Sequence, residues 1–172
     1  RKFLIKEADK FEDRGVFYSI RDKNIFKNKK IAIFGGGDSA LDWAIELSKF
    51  ADVTLVHRRN EFRGAEHSAE IARKLAKDGK LKIKTPFQIN SIEGQDKLNA
   101  ITIKSEDNKI EKISVDYVLG FFGLIMKLGP IVDWGLNLDK KTIPVDTENF
   151  QTNKEGIFAI GDICSYPGKL KL

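Results

Sequence analysis

Ile31-Ala32-Ile33-Phe34 is an unbroken apolar run that stops at three glycines, as a buried parallel strand does where it meets a turn. The period then changes. From Asp38 or Ser39 to about Phe50, the positions Leu41, Ala44, Ile45 and Leu47 fall on one stripe of helical spacing. Val53-Thr54-Leu55-Val56 is a second β-branched run, so strand, glycine turn, helix and strand succeed one another as a βαβ unit of about 27 residues. Residues 66–77 predict another helix, with Ala69, Ala72 and Ala76 near one face and Asp78-Gly79 closing it.

Further along, the pattern shortens to period two. Residues 81–84 predict a strand, and residues 88–91, 100–104 and 109–115 alternate apolar with polar positions between turns at 94–97 and 106–108. These three predict an antiparallel meander with one wet face. Residues 117–122 return as a continuous apolar strand of the parallel sheet. Residues 142–145 and the run Gly156-Ile157-Phe158-Ala159-Ile160 predict short closing strands, the last broken at Gly161-Asp162. The polar stretch 146–153 suggests a boundary between a body of residues 1–150 and an incomplete closing segment, 151–172.

Composition narrows the classes. With 172 residues, 41% of them hydrophobic, the chain suits one or two units with a real core. The single cysteine, Cys164, excludes an internal disulfide, and with only His57 and His67 beside it a Cys/His zinc site lacks ligands, so no metal is expected. The longest nearly apolar run, residues 117–126, is about half the ~20 residues a membrane helix needs, which predicts a soluble, cytoplasmic protein without membrane contact. A net charge of +5 permits an anionic partner. The lysines are scattered among acidic residues, so this reads as a solvated surface and not as a nucleic-acid face. Beginning at Arg1 with no leader pattern, the chain reads as a piece of a longer protein.

Candidate chemistry concentrates in two places. Gly35-Gly36-Gly37-Asp38-Ser39-Ala40 fits G-x-G-x-x-A between strand and helix: Gly35 makes the tight turn, Gly37 admits a pyrophosphate, and small Ala40 lets helix and strand pack closely. The helix N-terminus offers free N–H groups to the anion. Three glycines alone also make an ordinary turn; inside a βαβ unit they predict dinucleotide binding. The fold class that follows is α/β: a Rossmann-like parallel sheet carrying helices and an antiparallel β-meander, which the resemblance named below implies is a three-layer ββα FAD/NAD(P)-binding domain. Where an NAD site has an acidic residue for the ribose 2′-OH, this chain has His57-Arg58-Arg59 and then Arg63. Guanidinium groups bind a dianionic phosphate through forked hydrogen bonds, so NADP is favoured over NAD. The alternative is that Arg58 and Arg59 are surface residues paired with Glu61 or Glu66.

Taken together, G-G-G-D-S-A-L-D-W-A from Gly35, V-H-R-R-N-E-F-R from Val56 and G-D-I-C-S-Y-P-G-K from Gly161 resemble the thioredoxin-reductase-like flavoproteins, most closely the thioredoxin-reductase-type ferredoxin–NADP reductases. Asp42-Trp43, Gly129-Pro130-Ile131, Trp134-Gly135-Leu136 and Tyr166-Pro167-Gly168-Lys169 resemble that subgroup in particular. The resemblance implies an NADP domain inserted into an FAD domain, with Asp162 binding the ribityl and phosphate region of FAD in the whole protein; in this piece alone Asp162 reads as a turn residue. It also implies a glycine turn lining the NADP cleft, which Gly123 would supply, a purely structural turn being the other reading.

One departure separates subfamilies. Thioredoxin reductases carry a C-x-x-C disulfide in this domain, and the matching residues 16–22 have no cysteine, so lone Cys164 cannot supply a redox pair and reads as a packing residue. Glu66-His67-Ser68 reads as a helix start, and no catalytic side chain is expected because flavin and nicotinamide carry the chemistry. The resemblance thus implies NADP(H), FAD in the full-length protein, hydride transfer between them, ferredoxin or flavodoxin as electron partner, and a homodimeric whole protein. A flavin-free NADP-binding sensor or regulatory module is the alternative from another class.

Overall fold

Why residues 30–34 become a central strand is visible in what their two faces meet. The computed structural model describes residues 2–123 and 127–169. In strand β2 (Lys30–Phe34), Ile31 and Ile33 belong to one apolar cluster while Ala32 and Phe34 belong to another, so both faces of the strand are covered. β3 (Asp52–Val56) divides in the same way, Val53 and Leu55 from Val56. A parallel strand buried on both sides needs apolar residues at consecutive positions, and the unbroken runs in the sequence are that requirement.

Five strands form the parallel sheet in the order β1 (Val16–Phe17), β8 (Tyr117–Gly120), β2, β3 and β4 (Lys82–Lys84). On one face lie helices α2 (Asp38–Leu47) and α3 (Glu66–Lys77), which bury Ala40, Leu41, Ala44, Leu47, Ala69 and Ala72. The small residues let the helices approach the sheet; each fully buried leucine contributes about 1.5–3 kcal/mol. On the other face lies the meander, β5 (Phe87–Gly94), β6 (Leu98–Ser105) and β7 (Ile110–Ser114), antiparallel and in sequence order. Phe87, Ile92, Leu98, Ile101 and Ile103 supply its dry side, together with Ala8 of a short helix, α1 (Lys6–Lys10). Helices, parallel sheet and meander are the expected three layers.

Two compact units divide the chain, Arg1–Gly123 and Leu124–Leu172. The expected boundary at residues 146–153 falls within the second, which has its own small core of Leu136, Ile143, Ala159 and Cys164. There β9 (Ile143–Pro144) pairs in parallel with β10 (Cys164–Ser165). The predicted strand at 156–160 does not form: Phe158 makes one isolated bridge to Gln151, and ladder pairing comes only at β10, beyond the Gly161-Asp162 turn. Two other elements end early, α2 at Leu47 instead of Phe50 and β8 at Gly120 instead of Phe122. Leu124 to Met126 of the predicted apolar run lie outside the described residues.

Candidate functional site

The turn after β2 is shaped by three different constraints on its three glycines. A Cβ on Gly35 would lie 2.5 Å from the Phe121 carbonyl oxygen and 2.7 Å from the Ala40 Cβ. Those neighbours are fixed, since the Phe121 N–H donates to the Phe34 carbonyl at 2.8 Å and Ala40 is buried in α2. A Cβ on Gly36 would fall within 2.5 Å of His57 ring atoms. At Gly37 the same test finds nothing within 4 Å. Gly37 is also the N-cap of α2 (φ −100°, ψ −178°), and no side chain caps the helix there. An uncapped helix N-terminus with open space before it is an anion site in geometry and in dipole.

The loop after β3 folds back onto this turn. The N–H groups of Arg63 and Gly64 both donate to the Gly36 carbonyl, at 2.6 and 3.1 Å, and the Ala65 N–H donates to Asp38 Oδ1 at 2.6 Å. Gly64 is glycine for a local reason: a Cβ there would meet Leu41 Cδ1 at 2.7 Å and the Asp38 nitrogen at 2.9 Å. His57 is buried, and its ring stacks on Phe62 with centroids 5.7 Å apart and planes 24° apart. Burial first, then the Arg63, Arg58 and Arg59 charges, hold its pKa below the ordinary value, while a hydrogen bond with the Glu61 backbone acts the other way. The imidazole is therefore a neutral plate under a cationic loop.

Arg58, Arg59 and Arg63 are exposed, and among the described residues none of them forms an ion pair. Glu66, the partner considered for Arg58 or Arg59, is bonded instead to Arg73 at 2.7 Å. Arg58 and Arg59 line an open groove of about 260 Å³ with Pro86, Phe87, Gln88, Lys104 and Glu106. Its floor comes from the meander strands, a contribution that the βαβ pattern does not reveal.

Gly35, Gly36, Gly37, Asp38 and Ser39 form the turn and helix start, Arg63 is tied to it through the Gly36 carbonyl, and Arg58 and Arg59, on the same loop, line the groove beside the meander. Gly123 follows β8 in the left-handed region (φ +74°), exposed and with open space where a Cβ would stand. Asp162 belongs to the second unit, exposed on a 3-10 turn, Gly161–Ile163. Lys169 holds that turn: Nζ donates to the carbonyls of Gly161 and Cys164, both at 2.7 Å. The buried Cys164 thiol donates to the Gly161 carbonyl at 3.0 Å, a packing role. Ser68 bonds to Asp42 at 3.2 Å and His67 is exposed, so residues 66–68 are a helix start. Among the described residues no group of acidic, histidine and cysteine side chains could hold a metal, and no helix is long and apolar enough to cross a membrane. Sequence reasoning missed the seating of His57 on Gly36, the fold-back through Gly64 and the Lys169 bonds. A glycine in the free position of G-x-G was the one available signal.

A glycine turn between β2 and α2, on a parallel sheet layered by helices and a meander, places the chain in the Rossmann-like α/β class. Its family follows from comparison with known proteins: residues 2–171 match the pyridine nucleotide-disulphide oxidoreductase family, and the chain belongs to it. The ferredoxin–NADP reductase of Pelagibacter ubique (strain HTCC1062) is 65% identical over all of this chain and 51% of its own length. That of Flavobacterium johnsoniae is 49% identical over all of this chain and 49% of its own length. The chain thus spans about half the length of the curated relatives it matches. Among solved structures, thioredoxin reductase from Lactococcus lactis superposes with a TM-score of 0.81 at 29% identity, over 96% of this chain and 55% of that one.

Proposed function

We propose that this chain is the NADP(H)-binding part of an FAD-dependent ferredoxin–NADP reductase of thioredoxin-reductase type, with ferredoxin or flavodoxin as the electron partner. The observation that carries the reading is the pairing of an open, uncapped turn at Gly37 with three exposed arginines on the loop hydrogen-bonded to that turn. The turn fits a dinucleotide: Gly35 is packed on the protein side, and Gly37 is open on the other.

The backbone of residues 35–39 receives the pyrophosphate, and Asp38 also secures the arginine loop through Ala65. Arg58, Arg59 and Arg63 read the 2′-phosphate and cover the adenine. Gly123 lets backbone pass the cofactor at close range. Asp162, on its Lys169-held turn, offers a carboxylate to FAD. The bound nicotinamide supplies a hydride for exchange with the flavin, and the protein's part is binding and orientation.

Titration of NADPH and NADH against the wild type and against Arg58→Ala and Arg59→Ala tests the reading. A charge-assisted hydrogen bond contributes roughly 1.5–3 kcal/mol, so losing Arg58 weakens NADPH about ten- to a hundredfold and NADH much less. Equal losses for both nucleotides would show that these arginines do not read the phosphate.

A further inference from the structure

His57 carries a feature that the nucleotide reading leaves unused. Only 7% of the residue is exposed, yet its Nε2 has no hydrogen-bond partner among the described residues. A buried ring nitrogen without a partner is unfavourable and asks for a reason. The ring's position supplies one. Three of its atoms, Cε1, Nε2 and Nδ1, fill the space where a Cβ of Gly36 would stand. The same ring stacks on Phe62, one residue before Arg63. The Arg63 and Gly64 amides then close onto the carbonyl of the same Gly36.

Gly36 has no conformational need to be glycine, since it is not among the glycines with positive φ. Its missing side chain makes room for a neighbour. We propose that His57 is the positioning residue that locks the arginine loop onto the phosphate turn, and that Gly36 is glycine in order to seat the His57 ring, not to admit nucleotide. The inference rests on the NADP(H) reading above and deepens it. The cofactor's two phosphate sites are read by one rigid piece, because the element that meets the pyrophosphate and the element that meets the 2′-phosphate share a single packed ring. Pre-organisation of this kind raises affinity by removing an ordering cost at binding.

The test is a double-mutant cycle in the full-length protein with Gly36→Ala, His57→Ala and the combined variant, reading NADPH affinity, NADH affinity and melting temperature. Removing the ring frees the loop, so His57→Ala lowers the NADPH-over-NADH preference at least about tenfold, a change that general destabilisation would not produce. An unchanged preference overturns the proposal. Gly36→Ala alone sets a methyl against the ring and weakens NADPH; in the combined variant the methyl occupies vacated space, and affinity returns to within about threefold of His57→Ala. Losses that simply multiply would mean that the bare Gly36 faces the nucleotide, and the proposal fails.

If Gly36→Ala does not fold, the melting temperature of the combined variant decides. Equality with His57→Ala supports the seat, and failure to fold overturns it. A wild type with no preference for NADPH would overturn the nucleotide reading itself. That failure is distinguishable, because the melting-temperature cycle reports the ring seat without any nucleotide.

Discussion

Gly35 and Gly37 lie two positions apart in the same turn, and the structure predicts opposite consequences for filling them. A methyl at position 35 would meet the Phe121 carbonyl oxygen at 2.5 Å and the Ala40 Cβ at 2.7 Å, roughly 1 Å inside the optimum for non-bonded atoms. Neither neighbour is a flexible side-chain end. Relief therefore requires that the segment after β8 or α2 shift, and overpacking of this kind costs about 1–3 kcal/mol. For a chain of this size, about 2 kcal/mol lowers Tm by roughly 4–8 °C. Position 37 has nothing within 4 Å and already has the extended backbone of an N-cap.

Gly37→Ser places a good capping residue there, so stability holds or rises by the few tenths of a kcal/mol that separate serine from glycine caps, and Tm holds or rises by about 1 °C. The same hydroxyl occupies the helix amides and the space that the proposed NADP(H) reading gives to phosphate. Losing one charge-assisted contact, about 1.5–3 kcal/mol, weakens NADPH about ten- to a hundredfold. Thermal melts and calorimetric titrations on the two variants separate the effects. A Gly35→Ala protein that melts with the wild type, or a Gly37→Ser protein that binds NADPH normally, would refute the division of labour.

Below the ordinary His value of 6.5, the unfolded chain takes up a proton that folded His57, with its lowered pKa, resists. Its contribution to stability is thus complete above that value and lost as pH falls beneath it. Melts from about pH 7.5 to about pH 5 should show a shallower decline for His57→Phe than for wild type, and equal slopes would refute the assignment. Glu46, bonded to Lys23 at 2.6 Å and Lys49 at 2.5 Å, has its pKa lowered to about 2. An NMR titration should find it ionised well below the ordinary glutamate value. Cys164→Ser keeps a donor to the Gly161 carbonyl, so NADPH affinity should stay within about twofold and any loss of stability should be under about 1.5 kcal/mol. A large loss of affinity would reopen a role for the thiol. Added salt should narrow the preference for NADPH over NADH, since the arginines are exposed and charges are screened over ~10 Å at 0.1 M. A preference insensitive to salt would argue against charge as its source.

Elements whose partners lie nearby in sequence, or whose two faces are both buried, were legible. The βαβ unit, α3 and the meander left clear periods because each buries a whole face of regular structure. Elements defined by distant partners were not. β1 is only Val16–Phe17, and its register with Val118 and Leu119 is set by residues a hundred positions away. The run at 156–160 shows the reverse error. Its composition suits a strand, but Ile157 and Ala159 pack into the small core while Phe158 and Ile160 are exposed. Apolar alternation describes a half-buried segment, and only a ladder partner makes it a strand. The site divides in the same way. Spacing singles out Gly35, Gly37 and the arginines as candidates, whereas nothing local in the sequence shows that the His57 ring stands on Gly36.

The position of the turn within the sheet explains why so many constraints meet there. From β2 the chain runs through α2 to β3 on one side, and only after α3, β4 and the whole meander does it return as β8 on the other. The crevice outside the carboxyl end of β2 is therefore where connections diverge, the place at which open α/β sheets admit ligands. The ends of four parallel strands, β2, β3, β4 and β8, are tied together there: the Gly35 N–H donates to the Val56 carbonyl at 3.1 Å, the His57 N–H to Lys84 at 3.0 Å, and the Phe121 N–H to Phe34 at 2.8 Å. Each bond places one part of the site, the turn from β2, the ring and arginines from β3, and the wall behind Gly35 from β8. β8 is the last strand of the parallel sheet in chain order, so the wall behind Gly35 is supplied from beyond the meander. Residues 30–65 carry the candidate phosphate turn, the arginine loop and Ala40, but the Phe121 carbonyl, the nearest of the atoms that bar a side chain at Gly35, comes from more than fifty residues further on.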